Sequence, residues 1–184
     1  MRRDEYVIRP LNITDLPLMR AIEEASFSTP WPGNAYETEL TTNRLARYIG
    51  AWRDTELLGF GGIWLMVDEA HVTTIAVAPE LRGGGLGTAL MLELLQEARR
   101  GGARVATLDV RVSNEDAQRL YARLGFAVAG RRVRYYEESG EDAIIMTTAE
   151  LHDHGQLARE ALANAALMSG EPLPQPEAFE AVAR

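Results

Sequence analysis

The chain has 184 residues, 46% of them hydrophobic, which is enough for one domain with a substantial core. A formal net charge of −8 favours basic partners and argues against direct binding to nucleic acid. No segment approaches the ~20 apolar residues of a membrane span, and the first residues lack the apolar run of a signal peptide. The chain has no cysteine, which fits a reducing compartment, so we expect a cytoplasmic protein with no membrane attachment.

The first half of the sequence predicts one strand, two helices and an antiparallel meander of three strands. Alternating apolar residues indicate the strands, and Thr14 is the predicted entry to the first helix. The predicted elements are the strand Tyr6–Arg9, the helices Asp15–Ala25 and Gly33–Leu40, and the strands Arg47–Arg53, Leu57–Val67 and His71–Ala78.

The second half predicts two helices and three more strands. The long helix carries apolar residues at every fourth position, Leu86, Leu90, Leu94 and Ala98, which gives it one face for a sheet. The predicted elements are the helix Leu86–Arg100, the strand Arg104–Val112, the helix Asp116–Leu124 and the strands Phe126–Glu137 and Ala143–Thr148. This order predicts an α/β (α+β) fold with a mixed, mostly antiparallel sheet of about seven strands flanked by helices.

Residues 1–150 form the predicted domain, and residues 151–184 form a C-terminal extension. Within the extension, apolar residues at helical spacing predict a helix over 156–168. Three prolines follow it, so a partly disordered end is expected.

A run of glycines, Arg82-Gly83-Gly84-Gly85-Leu86-Gly87, lies where a predicted strand gives way to a helix. Glycines let the main chain approach a ligand, and the first N–H groups of a helix have no partner within it, so an anion such as phosphate is favoured here. The phosphate loop of nucleotide triphosphatases, G-x-x-x-x-G-K-[ST], needs a lysine, and none follows these glycines. The dinucleotide-binding motif G-x-G-x-x-G needs a final glycine, but that position is Thr88 when counted from Gly83 and Leu90 when counted from Gly85. The motif that remains is R-x-x-G-x-G. Taken alone, it is equally typical of an ordinary glycine-rich turn.

This strand, loop and helix resemble the acetyl-CoA site of the Gcn5-related N-acetyltransferase (GNAT) family. The resemblance implies that the strand holds the acetyl group and pantetheine arm, that the loop amides hold the pyrophosphate, and that the sheet splays between its fourth and fifth strands, where the cofactor enters. The residues it assigns to acetyl-CoA are Ile75, Ala76, Val77, Arg82, Gly83, Gly84, Gly85, Leu86, Gly87 and Thr88. If the strand bulges as in the family, a main-chain N–H around Val77 stabilises the oxyanion.

A second stretch, Leu108 to Phe126, resembles the other signature of the family. Ser113 or Asn114 can cap the helix that follows, and Tyr121 lies on its apolar face. By the resemblance, Asn114 contacts the CoA arm and Tyr121 places its hydroxyl near the sulfur. From the residues alone, Tyr121 is equally a core aromatic.

Four further tags are similar to the bacterial branch of the family that acetylates the N-terminal alanine of a ribosomal protein. They are Pro30-Trp31, Asp68-Glu69-Ala70, Tyr135-Tyr136 and the run Glu141 to Met146. The similarity spans roughly residues 5 to 150. It implies a partner with a free protein N-terminus, a ribosomal protein being expected.

That branch carries a glutamate as general base where this chain has Asp109, whose shorter side chain would need a bridging water to reach the amine. The alternatives for Asp109 are a solvated strand residue or an ion-pair partner of Arg111 or Arg104. Without cysteine there is no cysteine acyl-enzyme, so direct transfer is predicted, with Asp109 as base and Tyr121 as acid.

Aromatic residues with polar tips suit a groove for a short peptide, so Trp31, Tyr36, Tyr135 and Tyr136 are candidates for acceptor binding. No metal is expected. Two other functions stay open at this point: acetylation of lysine side chains or small-molecule amines, and a non-catalytic acyl-CoA-binding module.

Overall fold

The computed structural model describes residues 6–27 and 29–151, and the chain divides into two compact units, 1–106 and 107–184. The predicted helix 156–168 and the proline-rich end lie outside the described residues. Every predicted strand and helix in the described part begins and ends within two residues of its observed limits.

The first unit contains four strands and three α-helices. The strands are β1 (Val7–Pro10), β2 (Ala46–Arg53), β3 (Glu56–Met66) and β4 (Glu69–Val77), and the helices are α1 (Leu16–Ser26), α2 (Ala35–Thr41) and α3 (Leu86–Arg100). The four strands pair antiparallel in the order β1-β2-β3-β4.

Helices pack on both faces of this four-stranded sheet. Phe60 of β3 points toward α2, with its ring 5.7 Å from that of Tyr36. Its neighbours Gly59 and Gly61 face the other way, where a Cβ would lie 3.3 Å from Leu90 and 2.8 Å from Leu94 of α3. Glycine therefore lets α3 approach the backbone of β3 directly, and the predicted apolar face of α3 is buried as expected.

A capping box precedes α1 and replaces the predicted entry at Thr14. The Asn12 side chain accepts a hydrogen bond from Thr14 N (2.9 Å), and the Asp15 carboxylate accepts one from Asn12 N (3.0 Å). These two bonds close a single 3-10 turn, Ile13–Asp15, from which α1 continues. The helical segment therefore starts from Asn12.

Strand β4 contains a β-bulge in its middle. Gly62 of β3 pairs with Thr74 while the next residue, Ile63, pairs with Val72, so Thr73 is the extra residue. The sequence analysis made an oxyanion contact from an N–H around Val77 conditional on a bulge in this strand. The bulge at Thr73 lies four residues before Val77, and Val77 itself pairs regularly with Gly59.

The second unit contains most of β5 (Val105–Arg111), then α4 (Glu115–Arg123), β6 (Phe126–Tyr136) and β7 (Glu141–Thr148). The strands are antiparallel in the order β5-β7-β6. Helix α4 packs on β6, where the rings of Tyr121 and Phe126 lie 5.9 Å apart. The seven strands and their flanking helices confirm the predicted α/β class, whereas the splay between the fourth and fifth strands stays a prediction.

Candidate active site

The glycine-rich loop of the first unit runs from a 3-10 turn, Pro79–Leu81, to the start of α3. Gly83 and Gly85 have φ angles of +76° and +85°, a region that other residues rarely adopt. A Cβ added to either glycine would meet no heavy atom within 4 Å. Glycine is thus needed here for its backbone conformation, and the loop is open to a ligand on that side.

The start of α3 offers hydrogen-bond donors to such a ligand. Its N-cap is Gly85, and within the described residues no side chain caps the helix. The first N–H groups, from Leu86, Gly87 and Thr88, therefore face outward with the positive end of a 15-residue helix behind them. This donor set fits a pyrophosphate, which is the part of acetyl-CoA that the sequence assigns to the loop.

The end of β4 is fixed by two hydrogen bonds to one carbonyl. Arg82 Nε donates to the carbonyl oxygen of Val77 (3.2 Å), and Ser26 Oγ of α1 donates to the same atom (3.4 Å). Ala76 is buried, while Ile75 and Val77 are half-buried. The end of α1 therefore lies beside the strand that is predicted to hold the acetyl group.

A buried carboxylate lies beneath Trp31 in the same unit. Glu23 is only 2% exposed, and its Oε1 accepts hydrogen bonds from Trp31 N (3.0 Å) and from the Tyr36 hydroxyl (2.9 Å). Burial raises the pKa of Tyr36 well above its usual range, and the neighbouring Glu23 carboxylate adds to the rise. The rings of Trp31 and Tyr36 stack 5.2 Å apart.

Tyr36 is therefore a core residue and no part of a peptide groove, since it is 2% exposed. Trp31 is half-buried and remains a candidate for acceptor binding. The sequence analysis missed Glu23. A signal was available in the helical spacing: Glu23 follows Met19 by four positions and therefore lies on the apolar face of α1, beside Ile22. An acidic residue on an apolar helix face indicates a buried carboxylate.

In the second unit, Asp109 is almost buried and forms an ion pair. Its side chain is 7% exposed, and Arg132 Nε of β6 donates to Asp109 Oδ1 at 2.9 Å. The sequence analysis considered Arg111 and Arg104 as partners and missed Arg132. Arg111 instead pairs with Glu141, with 3.3 Å between Arg111 Nη1 and Glu141 Oε2. The guanidinium carbon of Arg111 lies 3.7 Å from the centre of the Tyr136 ring.

Two tyrosines of this unit remain protonated at neutral pH. Burial raises the pKa of Tyr121 to about 12, and Tyr136 adds to the rise. Burial likewise raises the pKa of Tyr136 to about 12, with Arg111 opposing the rise and Asp109 adding to it. Tyr136 is therefore within electrostatic range of both predicted catalytic residues. Tyr121 packs on Phe126, and its role as a proton donor stays a prediction.

The remaining predicted residues of the second unit are Asn114 and Tyr135. Asn114 caps α4, since its Oδ1 accepts a hydrogen bond from Ala117 N (3.2 Å), and its amide group still offers N–H donors. Tyr135 is 46% exposed and contacts Tyr136 edge-on, with ring centres 5.2 Å apart. The structure thus groups Asp109, Tyr121 and Tyr136 in one unit, while the glycine-rich loop, Trp31 and the end of β4 belong to the other.

Residues 6–27 and 29–151 contain no group of three or more histidine, cysteine, aspartate or glutamate side chains that could hold a metal ion. Over the same residues, no helix is long and apolar enough to cross a membrane.

Comparison with known proteins gives concordant results. Residues 16–126 match the model of the acetyltransferase (GNAT) family. The [ribosomal protein bS18]-alanine N-acetyltransferase of Escherichia coli K12 is 36% identical over 143 residues, which is 76% of this chain and 94% of that protein. The N-alpha-acetyltransferase RimI of Mycobacterium tuberculosis is 40% identical over 121 residues, 64% of this chain and 74% of that protein.

The crystal structure of the ribosomal-protein-S18-alanine N-acetyltransferase from Escherichia coli superposes with a TM-score of 0.73 at 31% identity, covering 80% of this chain and 95% of that one. The family match spans more than half of the chain, and the open glycine loop at the start of α3 fits the acetyl-CoA that the family uses. The chain therefore belongs to the GNAT family and is an acetyl-CoA-dependent N-acetyltransferase.

Proposed function

We propose that this enzyme acetylates the α-amine at a protein N-terminus, with the N-terminal alanine of a ribosomal protein of the bS18 type as its acceptor. The observation that carries the proposal is the 36% identity over 94% of the Escherichia coli enzyme named for that reaction. We place the reaction in the cytoplasm, because ribosomal proteins are made there.

The residues support direct transfer. The amine nitrogen attacks the thioester carbonyl carbon, a C–N bond forms and the C–S bond breaks. Asp109, through a water molecule, takes the proton that the amine loses. The Tyr121 hydroxyl, whose pKa of about 12 keeps it protonated at neutral pH, donates a proton to the departing thiolate. The donors at the start of α3 hold the pyrophosphate throughout.

The chemistry of the acceptor favours an α-amine over a lysine side chain. An α-amino group has a pKa of about 7.7–8.0 and a lysine side chain about 10.4. At pH 7.5 roughly a quarter to two fifths of the first is neutral, against about one part in a thousand of the second. An α-amine therefore needs weaker base assistance than a lysine side chain. A carboxylate that acts through a water molecule is better suited to the α-amine.

A turnover assay with two peptides tests the proposal. One peptide begins with a free alanine in the N-terminal sequence of the ribosomal protein, and the other has a blocked N-terminus and internal lysines. Because the enzyme itself contains no lysine, any acetyl-lysine detected by mass spectrometry belongs to the peptide.

We expect turnover of the free-alanine peptide alone. Turnover of the blocked peptide would reassign the enzyme to lysine side chains. If the protein binds CoA tightly but acetylates neither peptide, two other functions remain. They are acetylation of small-molecule amines and non-catalytic binding of acyl-CoA.

A further inference from the structure

The ion pair between Asp109 and Arg132 spans three strands. In the strand register, Asp109 of β5 lies opposite Ile145 of β7, and Ile145 lies opposite Gly130 of β6. Arg132 is two residues beyond Gly130, so it lies on the same face of the strands as Asp109. Its side chain therefore crosses β7 to reach the carboxylate.

The two partners differ in burial. The Asp109 side chain is 7% exposed, whereas that of Arg132 is 51% exposed. An ion pair with both partners in water contributes little, but a carboxylate that is almost withdrawn from water depends on its counter-charge. The pair therefore matters mainly for the electrostatics of Asp109.

Several other charged residues of this unit pair with one another. On its own strand, Arg111 pairs with Glu141 of β7, and Asp142 of β7 pairs with Arg131 of β6. The acidic residues of α4, Glu115 and Asp116, both pair with Arg119. Tyr121 and Tyr136, whose pKa values burial raises to about 12, are neutral phenols at pH 7. Arg132 places its charge directly against Asp109, with 2.9 Å between Arg132 Nε and Asp109 Oδ1.

A lone carboxylate beside the acceptor would work against the reaction. It would attract the acceptor as an ammonium ion and raise the pKa of the amine, so that less of the bound acceptor could attack. A carboxylate that already carries a guanidinium exerts much less of this attraction.

We propose that Arg132 is a positioning residue of the acetyl-transfer site, which neutralises Asp109 and fixes its carboxylate so that the acceptor α-amine enters uncharged. The inference rests on the proposed function, because it needs an α-amine beside Asp109. Tyr135 supports the arrangement, since its ring centre lies 5.6 Å from the Arg132 guanidinium carbon.

The pH dependence of kcat on the free-alanine peptide tests the role, because kcat reports ionisation in the enzyme–peptide complex. In Arg132→Gln we expect the acidic limb of kcat to move up by about one pH unit, which reduces kcat about sevenfold at pH 7.5 and leaves it nearly unchanged at pH 9.5. Arg132→Lys should restore the wild-type limb. Arg131→Gln is the matched control, because Arg131 lies on the same strand as Arg132 but pairs with Asp142 of β7. This variant should leave the pH profile unchanged.

The double variant Asp109→Asn/Arg132→Gln separates the charge effect from a loss of shape. With the carboxylate gone, the acidic limb should return to its wild-type position even though the rate stays low. An equal loss at every pH in Arg132→Gln, or a limb that does not move, would overturn the proposal.

A binding measurement provides a readout without turnover. Calorimetry of the free-alanine peptide with the CoA-loaded enzyme, in buffers of different ionisation enthalpy, counts the protons released on binding. Wild type should release protons near pH 7, and Arg132→Gln should release markedly fewer. Binding to wild type without proton release would refute the role of Arg132 while leaving N-terminal acetylation standing. A wild-type enzyme that neither binds nor acetylates the peptide would remove both.

Discussion

Single residues set the protonation states on which this chemistry depends. Tyr121 and Tyr136 are half-buried, and burial brings the pKa of each to about 12. Both phenols are therefore donors across the physiological range. Asp109, by contrast, is held beside a guanidinium. The protonated phenols and the carboxylate that is predicted to act as base thus have different surroundings within one small unit.

Replacing Tyr121 by phenylalanine should lower kcat about a hundredfold, because the thiolate loses its proton donor. The affinity for CoA should be unchanged, since the ring still packs on Phe126. Steady-state kinetics and calorimetry with CoA measure the two quantities separately. Because the pKa of Tyr121 is about 12, the wild-type profile should show no limb from this group below about pH 11. An unchanged kcat would leave Tyr121 as a packing residue only.

Glu23→Ala should lower the free energy of unfolding by about 2–4 kcal/mol, because two buried donors, Trp31 N and the Tyr36 hydroxyl, lose their acceptor. Glu23→Gln keeps a carbonyl oxygen in that place and should lose only about 1 kcal/mol. Urea unfolding followed by tryptophan fluorescence measures both. Equal stabilities of the two variants would show that Glu23 stabilises the fold through its charge and not as a hydrogen-bond acceptor.

The site residues that the sequence predicts are those whose positions follow from local spacing. Tyr121 and Asn114 lie in one short motif, and Gly83 and Gly85 lie where a strand meets a helix. Arg132 could not be found this way, because its contact with Asp109 depends on how β7 lies between two other strands. Glu23 was concealed for a similar reason, since the donors that satisfy it come from α2 and the preceding loop.

At the level of elements, α3 combines two functions along its length. Its leucines pack on the glycine face of β3, while its first turn is left for a ligand. The periodicity of α3 was readable because it repeats every fourth residue. The position of the bulge at Thr73 could not be read from the sequence, because a bulge is a property of two paired strands and the partner β3 leaves no mark in the sequence of β4.

Gly85→Glu should abolish CoA binding, because a carboxylate would enter the pyrophosphate site. Gly102→Glu is a matched control near the other end of α3: Gly102 also has a positive φ, +91°, and a Cβ there also meets nothing within 4 Å. Both variants carry backbone strain of about 1–2 kcal/mol. Calorimetry should show CoA binding retained in Gly102→Glu alone, and binding by both variants would contradict the assignment of the loop.

The whole molecule carries a net charge of −8, while its acceptor is cationic before it reacts. Long-range attraction of this kind acts mainly on the rate of encounter and is screened by salt. The charge should therefore favour acceptors with basic residues after the first position.

For a free-alanine peptide with arginines at its next positions, kcat/KM should fall severalfold between about 20 and 300 mM salt, because the Debye length shortens from roughly 20 to 6 Å. A peptide of the same length with serines in those positions serves as control and should change little. A parallel decline for both peptides would point to an effect of salt on the enzyme itself.

Strand β6 has β7 on one side and, within the described residues, no strand on the other. On this strand Val128 is 68% exposed and Val133 is 74% exposed. An exposed apolar edge strand can pair with a strand of a second chain. Arg131 and Arg134 interrupt this apolar edge, and two breaks in the register distort it. We therefore expect Arg131 and Arg134 to disfavour edge-to-edge aggregation through this strand. A variant without Arg131 and Arg134 should form soluble oligomers or fibrils at concentrations at which wild type stays monodisperse.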